Sequence, residues 1–302
     1  MITFLKSARK VIVRAGRKFR KDDPVRLAGT TAYFAIFAMA PIVIIIISLV
    51  GLIMGKQEIS SQVYSELNSL VGNQGTEYIK SLVQNYSSQD QNLIGTIIGV
   101  IVFLVTSTTF FTVLQNSINH VWAVKAKPRH NILKALRDRL LSFGLILSMG
   151  FILLVSMLIE AAISFLKGYI DTIFPGVEVV LITVTNVLLT IIILTLIFAL
   201  IFKFLPDAVI KWRVTWVGAL ITASLFEGGR ALIGLFLGNS NIGLMYGAAG
   251  SLVVILLWVF YSSLIFFFGA EITLQYANLY SRDIVPKKYA VKIEVSETRE
   301  KG

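Results

Sequence analysis

Long, uninterrupted apolar runs are the feature of this sequence that most limits what it can fold into. Four of them, residues 28–55, 140–166, 179–205 and 251–279, each exceed the ~20 residues that a helix needs to cross a ~30 Å hydrocarbon core. A membrane β-barrel would show ~10-residue segments of alternating polarity instead. The chain is 56% hydrophobic and 15% charged, whereas soluble domains carry about 25% charged residues. We therefore predict an all-α, polytopic helical membrane protein.

The apolar runs and the polar stretches between them predict six transmembrane helices. The predicted spans are residues 27–55, 93–124, 140–166, 179–205, 215–237 and 251–279. A basic amphipathic arm, residues 1–26, precedes them, and a charged tail that we predict to be mobile, residues 280–302, follows. Within residues 56–92, apolar positions at helical spacing and a break at Gly72–Gly75 predict two short helices that form a small external cap. Residues 238–250 hold four glycines and fit either a loop or a re-entrant stretch.

Two local signals mark where spans begin and end. Asp22, Asp23 and Pro24 predict the start of the first long helix. Tryptophans favour the boundary between lipid and water, so we predict interface positions for Trp122, Trp212 and Trp216.

The distribution of Lys and Arg predicts the orientation. The amino-terminal arm, the loops after the second and fourth spans and the tail hold nine, six, three and six of them, whereas the three opposite loops hold two, one and none. Basic loops stay in the cytoplasm, so both termini are predicted to be cytoplasmic. The net charge of +11 then faces the anionic cytoplasmic leaflet, where each basic residue gains about 1 kcal/mol. Nucleic acid is not needed to explain it.

The amino-terminal arm predicts contact with lipids. Its apolar residues recur at helical spacing among nine Lys or Arg, a pattern typical of a helix that lies on an anionic membrane surface. A solvated basic face that only sets the topology is an equal alternative. The expected partners are therefore membrane lipids with anionic headgroups at the cytoplasmic leaflet, and the formation of a homo-oligomer stays open.

The fifth span carries the main candidate for a functional site. Glu227 and Arg230 lie near its middle, where a charge costs roughly 3 kcal/mol on insertion scales and ionisable residues are functional candidates by default. Three residues apart on a helix, they can pair. Pro41 is predicted to kink the first span. Other polar residues within the predicted spans extend a candidate substrate path, and they are Tyr33, Asn116, Asn119, Glu271 and Gln275 in the cytoplasmic third and Glu160 towards the outside.

Several kinds of chemistry are excluded or made improbable by composition. The chain has no Cys and only two His, which leaves no thiolate site and no multi-histidine metal site. The predicted loops hold no acid–base constellation of the kind that a ribonuclease needs. A phosphate-binding Gly-rich loop is also absent. We predict no catalytic residues, no metal and no cofactor, and hence a protein that is not an enzyme.

Several short stretches resemble a known family of bacterial inner-membrane proteins. They are Leu27-Ala-Gly-Thr-Thr-Ala-Tyr-Phe with Pro41, Asn116 to Trp122, Pro206, Trp216-Val-Gly-Ala, Glu227 to Arg230, Tyr246-Gly-Ala-Ala-Gly and Gly269-Ala-Glu271. In order and spacing they are similar to the signatures of the YihY/BrkB family, over about residues 20–280. The resemblance implies six spans in a bacterial cytoplasmic membrane. Members of that family have carried a ribonuclease label, a virulence label and suggestions of lipid export.

Two functions remain as hypotheses. The first is a transporter or flippase for an amphipathic, anionic, lipid-like substrate, in which Arg230 attracts the charge while Glu227 and Glu271 exchange protons. The second is a non-transporting scaffold for the membrane or cell envelope, in which buried charges hold the helices together. An ion channel is a weaker third hypothesis, since no filter sequence is visible.

Overall fold

A computed structural model shows a helical bundle whose helices follow the apolar runs. The structure describes residues 2–54, 56–87, 93–127, 140, 144–152, 155, 178–238, 245–246, 249–280 and 284–293. Within these, seven long helices are α1 Ile2–Lys21, α2 Pro24–Met54, α3 Lys56–Ser87, α4 Leu93–Val121, α5 Glu178–Phe204, α6 Trp212–Gly238 and α7 Gly250–Leu279. Four short strands accompany them, β1 Val124–Ala126, β2 Ala208–Val209, β3 Val285–Pro286 and β4 Ala290–Lys292.

The helices match the predicted spans closely. The bounds of α2, α4, α5, α6 and α7 lie within three residues of those predicted. Of the third predicted span, residue 140, residues 144–152 and residue 155 are described and helical, and the remainder lies outside the described residues. Four described stretches are long and apolar enough to cross a membrane, and they are Pro24–Ile44, Val187–Phe204, Trp212–Phe236 and Gly250–Leu279. The predicted helical membrane fold is therefore confirmed in its general form.

The chain between the first two predicted spans forms one helix, and the prediction of two was wrong. Helix α3 runs through Gly72 and Gly75 for 32 residues, although each Gly costs about 1 kcal/mol relative to Ala inside a helix. Packing offsets this cost, because α3 lies against α2 and α7. Ile79 and Val83 are buried in the cluster that those helices share, and Gly75 itself is buried.

Helix α7 is the centre of the described bundle and meets α6 at very short range. It packs against α1, α2, α3, α4 and α6. Two Gly-x-x-x-Thr segments face each other across the α6–α7 contact, Gly218 to Thr222 and Gly269 to Thr273. A Cβ on either glycine would overlap the opposing Thr hydroxyl and lie 2.8 Å from the Thr Cβ. Small residues at such a contact let two backbones approach closely, which is a common basis of helix association in membranes.

Each Thr hydroxyl in this contact has a hydrogen-bond partner within its own helix. The Thr222 hydroxyl donates to the Gly218 carbonyl at 2.7 Å, and the Thr273 hydroxyl donates to the Gly269 carbonyl at 2.8 Å. Neither of these two hydroxyls is therefore left unpaired in an apolar contact, where an unsatisfied group would be costly. Residue 218 opposes residue 273 and residue 222 opposes residue 269, so the two helices run antiparallel.

Two small strand pairs tie the tail to the bundle, which corrects the prediction of a mobile tail for residues 284–293. Strand β4 pairs antiparallel with β1, and β3 pairs antiparallel with β2. The tail thereby joins the chain that follows α4 to the chain that follows α5. These segments and the turn between α1 and α2 gather at one end of the bundle, because Lys18 of α1 contacts the carbonyl of Val121 in α4. We call this the basic end.

The predicted helix start at Asp22, Asp23 and Pro24 is confirmed. Pro24 is the first residue of α2, the position at which its missing N–H and fixed φ suit a helix. Asp23 adopts φ 52°, a left-handed conformation that Asp tolerates better than most residues. Its carboxylate accepts a hydrogen bond from Arg26 Nε at 2.9 Å.

The prediction that Trp122 lies at a membrane interface was wrong, because this residue belongs to the core. Trp122 is 2% exposed and its ring centroid lies 6.1 Å from that of Phe202. Its indole N–H donates to the carbonyl of Ala270 at 3.1 Å, which supplies the partner that a buried Trp needs. Trp212 and Trp216, also predicted at an interface, are 46% and 43% exposed.

The α6–α7 contact yields a test of stability. We expect Gly218→Ala to lower the free energy of unfolding by about 1–3 kcal/mol, the usual cost of inserting a methyl group into a packed contact. Gly228→Ala is the matched control on the same helix, because a Cβ there meets nothing within 4 Å. The measurement is thermal unfolding of the purified protein in detergent. Equal midpoints for the two variants would show that the contact is looser than described.

Candidate functional site

Glu227 and Arg230 form an ion pair on α6, as the sequence predicts. Arg230 Nη2 donates to Glu227 Oε1 at 2.6 Å, and the side chains are 29% and 15% exposed. The other carboxylate oxygen, Glu227 Oε2, is buried and has no hydrogen-bond partner among the described residues. Buried polar atoms in proteins are nearly always paired, so an unpaired one needs a specific explanation.

Glu227 faces away from the tight contact with α7. Gly229, like Gly218, marks that contact on α6, because a Cβ on Gly229 would meet Ile265 and Tyr261 of α7. At 3.6 residues per turn, Glu227 lies about 160° around α6 from Gly229. Its neighbour Phe226 lies between α5 and α7, since its ring meets those of Phe198 and Trp258 with centroids 5.7 Å and 5.8 Å apart. The carboxylate of the pair therefore lies on the side of α6 that does not pack on α7.

Glu271 belongs to a second, separate cluster at the basic end. It is fully buried, and its Oε2 accepts a hydrogen bond from Lys18 Nζ at 3.2 Å while its Oε1 accepts one from Gln275 Nε2 at 2.8 Å. Lys18 Nζ also donates to Asp22 Oδ2 at 2.5 Å and to the Val121 carbonyl at 2.7 Å. All three ammonium donors and both carboxylate oxygens are thus used.

This cluster binds the amino-terminal helix to the bundle. Phe19 meets Phe268 with ring centroids 5.3 Å apart, and Val11 and Ala15 are buried in a cluster with Ile272. Much of the apolar face of α1 is therefore covered by α7. Several residues of α1 remain exposed, and they are the basic Arg9, Lys10, Arg14, Arg17, Arg20 and Lys21 and the apolar Ile12 and Val13. Helix α1 therefore packs against the bundle. The sequence predicts either a helix on the membrane surface or a solvated basic face, and neither of these includes such packing.

A third polar cluster surrounds Asp207 in the turn between α5 and β2. Asp207 is 2% exposed, and its carboxylate accepts hydrogen bonds from Asn119 Nδ2 at 2.9 Å and Gln115 Nε2 at 3.2 Å. Its backbone N–H donates to Asn119 Oδ1 at 2.8 Å, and its carbonyl accepts from the Lys287 N–H at 2.9 Å. Asn119 therefore fixes the backbone and the side chain of one buried residue.

The other predicted path residues do not join these clusters. Tyr33 is 58% exposed and packs its ring beside those of Phe34 and Phe37. Asn116 is exposed, although Asn119 one turn later is buried. Pro41 lies inside α2, and Glu160 lies outside the described residues. The structure thus divides the predicted path into a pair on α6, two closed clusters at the basic end and two exposed residues.

Sequence reasoning missed four members of these clusters. The sequence pattern places Lys18 in a surface helix and Asp22 in a helix cap, although a buried carboxylate in an apolar span requires a cation as its partner. Gln115 lies four residues before Asn119, a spacing that also puts two side chains on one helix face. Asp207 follows Pro206 directly and had no signal of burial. Within the described residues, no three His, Asp or Glu side chains lie close enough to share a metal ion.

Comparison with known proteins identifies the relatives of the chain. The family model described as "Virulence factor BrkB" matches residues 15–292. A UPF0761 membrane protein of Pseudomonas paraeruginosa is 27% identical over 279 residues, covering 89% of this chain and 64% of the relative. UPF0761 membrane proteins of Alcanivorax borkumensis and Ralstonia nicotianae are 25% and 24% identical, each covering 85% of this chain and 58% and 56% of the relative. No solved structure matches.

The fold and these matches define a multi-pass helical membrane protein. The chain belongs to the BrkB family of membrane proteins, which confirms the resemblance to the YihY/BrkB family. It spans less than two thirds of the length of the curated relatives named above. The match to residues 15–292 is wider than the predicted 20–280. It includes Lys18 at one end and strands β3 and β4 at the other, which are the parts that assemble the basic end.

The cluster around Glu271 predicts a loss of stability when its cation is removed. We expect Lys18→Met to lower the free energy of unfolding by about 3 kcal/mol, because the buried carboxylate then lacks its counter-charge. The double variant Lys18→Met with Glu271→Gln should recover part of this loss, since the remaining amide is neutral. Lys21→Met removes the same charge from an exposed position of the same helix and serves as the control in thermal unfolding. A loss as large for Lys21→Met would contradict the proposed role of Lys18.

The cluster around Asp207 predicts different outcomes for two Asn residues one turn apart. Asn119→Asp removes an amide donor and places a second carboxylate beside Asp207, so we expect a loss of about 3 kcal/mol or more. Asn116→Asp makes the same chemical change at an exposed position and should shift the unfolding midpoint little. Unfolding of both variants in the same detergent gives the comparison. Similar midpoints for the two would rule out a structural role specific to Asn119.

Proposed function

We propose that the chain moves an amphipathic, anionic, lipid-like molecule across a bacterial cytoplasmic membrane, and that the ion pair on α6 is the charge site of the path. The observation that supports this most is the Glu227–Arg230 pair itself, which lies within an apolar span and is partly exposed. In a chain that only needed to pack its helices, apolar residues at these positions would avoid the cost of the two charges.

The chemistry of the pair suits a substrate with a phosphate or a similar anion. A guanidinium presents planar donors that match phosphate and carboxylate geometry, and that of Arg230 is 29% exposed. An approaching anion would compete with Glu227 for Arg230, and a proton on Glu227 would compensate for the displaced charge. Glu227 Oε2, which has no hydrogen-bond partner among the described residues, is suited to holding that proton, because a protonated carboxyl can donate a hydrogen bond where an ionised one cannot.

In this proposal the chain crosses the membrane six times with both termini in the cytoplasm. Support comes from the basic end, where the turn before α2, the chain after α4, the chain after α5 and the tail are joined by Lys18 and by the two strand pairs. These are the four segments that the excess of Lys and Arg assigns to the cytoplasm. The proposal includes no enzymatic step, no cofactor and no nucleic-acid partner.

The scaffold hypothesis is the second candidate, and the Lys18–Glu271 cluster favours it. All three ammonium donors of Lys18 and both carboxylate oxygens of Glu271 are used in holding α1, α4 and α7 together, which leaves Glu271 poorly suited to exchanging protons with a substrate. Charges that lock helices are therefore present at the basic end. The transport and scaffold hypotheses therefore make different predictions only for the Glu227–Arg230 pair on α6.

Transport by reconstituted protein separates them. We expect Arg230→Gln to slow translocation of a fluorescent anionic phospholipid in liposomes by about tenfold or more, because a charge-assisted hydrogen bond contributes about 1.5–3 kcal/mol. Arg26→Gln is the matched control, since Arg26 forms an exposed ion pair with Asp23 in the turn before α2. The double variant Glu227→Gln with Arg230→Gln removes both charges and avoids an unpaired carboxylate.

The double variant decides between the two candidates. If it folds, inserts and translocates lipid at the rate of the unaltered protein, the transport proposal is wrong. If translocation is lost while the thermal midpoint stays within the range of the Arg26→Gln control, the scaffold hypothesis is excluded for this pair.

A further inference from the structure

A groove between α1 and the bundle has the chemistry of a lipid site. It encloses about 510 Å³, within the ~300–1,000 Å³ typical of ligand pockets. Its walls are almost entirely apolar, with Val11 and Ile12 from α1, Val217 and Ile221 from α6, and Phe268 and Ile272 from α7. At the end of α7 the rings of Tyr276 and Tyr280, whose centroids are 4.8 Å apart, complete the lining.

The helix that forms one wall of this groove is strongly cationic. Residues 2–21 contain no Asp or Glu, and their Lys and Arg residues are Lys6, Arg9, Lys10, Arg14, Arg17, Lys18, Arg20 and Lys21. Lys18 is used in the pair with Glu271, whereas Arg9, Lys10 and Arg14 are exposed. An apolar groove bordered by exposed cations is complementary to a molecule that carries an acyl chain and an anionic headgroup together.

We infer that this groove binds one acyl chain of an anionic phospholipid, with the headgroup on the basic face of α1. Ile12 marks the mouth of the groove, because it lines the groove and is nevertheless 55% exposed. An acyl chain would cover this side chain, while the exposed Arg9, which lies three residues before Ile12 and about 60° from it around α1, is placed to reach the phosphate. A free anion would gain nothing from the apolar walls, and a zwitterionic lipid would gain less from the cations because its own cationic group opposes them.

The site is distinct from the Glu227–Arg230 pair and does not depend on the transport proposal. None of its walls includes either residue. Binding here can be measured without any movement of substrate, so its failure leaves the transport assay unaffected. The bound lipid would hold α1 against α6 and α7 in addition to the Lys18–Glu271 pair.

Two neighbouring residues on α1 make a matched test. Ile12→Trp places a large side chain at the mouth of the groove, whereas Val13→Trp places the same side chain at a position that is 50% exposed and outside the lining. The full-length chain is purified in a neutral detergent, and its affinity is measured by native mass spectrometry for phosphatidylglycerol and for phosphatidylcholine with the same acyl chains. Glycerol 3-phosphate, which has the charge without the chains, is the third probe.

We expect the unaltered protein to bind phosphatidylglycerol about tenfold more tightly than phosphatidylcholine and to show no saturable binding of glycerol 3-phosphate. Ile12→Trp should weaken phosphatidylglycerol binding about tenfold, and Val13→Trp should leave it unchanged. Equal affinities for the two lipids, or binding of glycerol 3-phosphate as tight as that of the lipid, would overturn the assignment. Equal effects of the two Trp substitutions would overturn it as well, and thermal midpoints in lipid-free detergent confirm that both variants are folded.

Discussion

The buried carboxylate of Glu271 is the constraint on which the basic end depends. An ionised group removed from water is costly unless a counter-charge and hydrogen bonds compensate for it. Lys18 supplies the charge from a helix that is 253 residues away in the chain, and its ammonium also holds Asp22 and the end of α4. This interaction therefore positions α1 together with the apolar contacts between α1 and α7. The family match, which begins at residue 15, includes both Lys18 and Glu271.

The polar clusters of the bundle differ in how completely their groups are paired. Glu271 has a partner for each carboxylate oxygen, Lys18 on α1 and Gln275 on α7, and the Asp207 carboxylate has two partners on α4. Such closed networks rigidify a fold. The Glu227–Arg230 pair is different, because both residues come from one helix, both are partly exposed and Glu227 Oε2 has no partner among the described residues. A side chain that exchanges hydrogen-bond partners during transport must be partly exposed or have an atom free to accept a new partner. The Glu227–Arg230 pair is therefore the better candidate for the charge site of the path.

Helix positions could be predicted from the sequence because the thickness of a bilayer sets the length of an apolar run. The predictions failed where packing opposes local preference. Gly72 and Gly75 suggested a break, yet contact with α2 and α7 keeps α3 continuous. Of the site, the α6 pair could be predicted because its members lie three residues apart. Lys18 and Asp207 could not, because their burial depends on partners more than 80 residues away.

The tight contact between α6 and α7 limits how a path at Glu227 could open. At Gly218, Gly269 and Gly229 the two helices are too close to admit a methyl group without displacing a neighbour, and separating them would lose close contacts at several levels. A packed interface of this kind has discrete arrangements and does not deform continuously. Glu227 lies about 160° around the helix from Gly229. An opening that keeps this contact intact would widen access to the pair on the other side of α6, with α6 and α7 moving together as one unit.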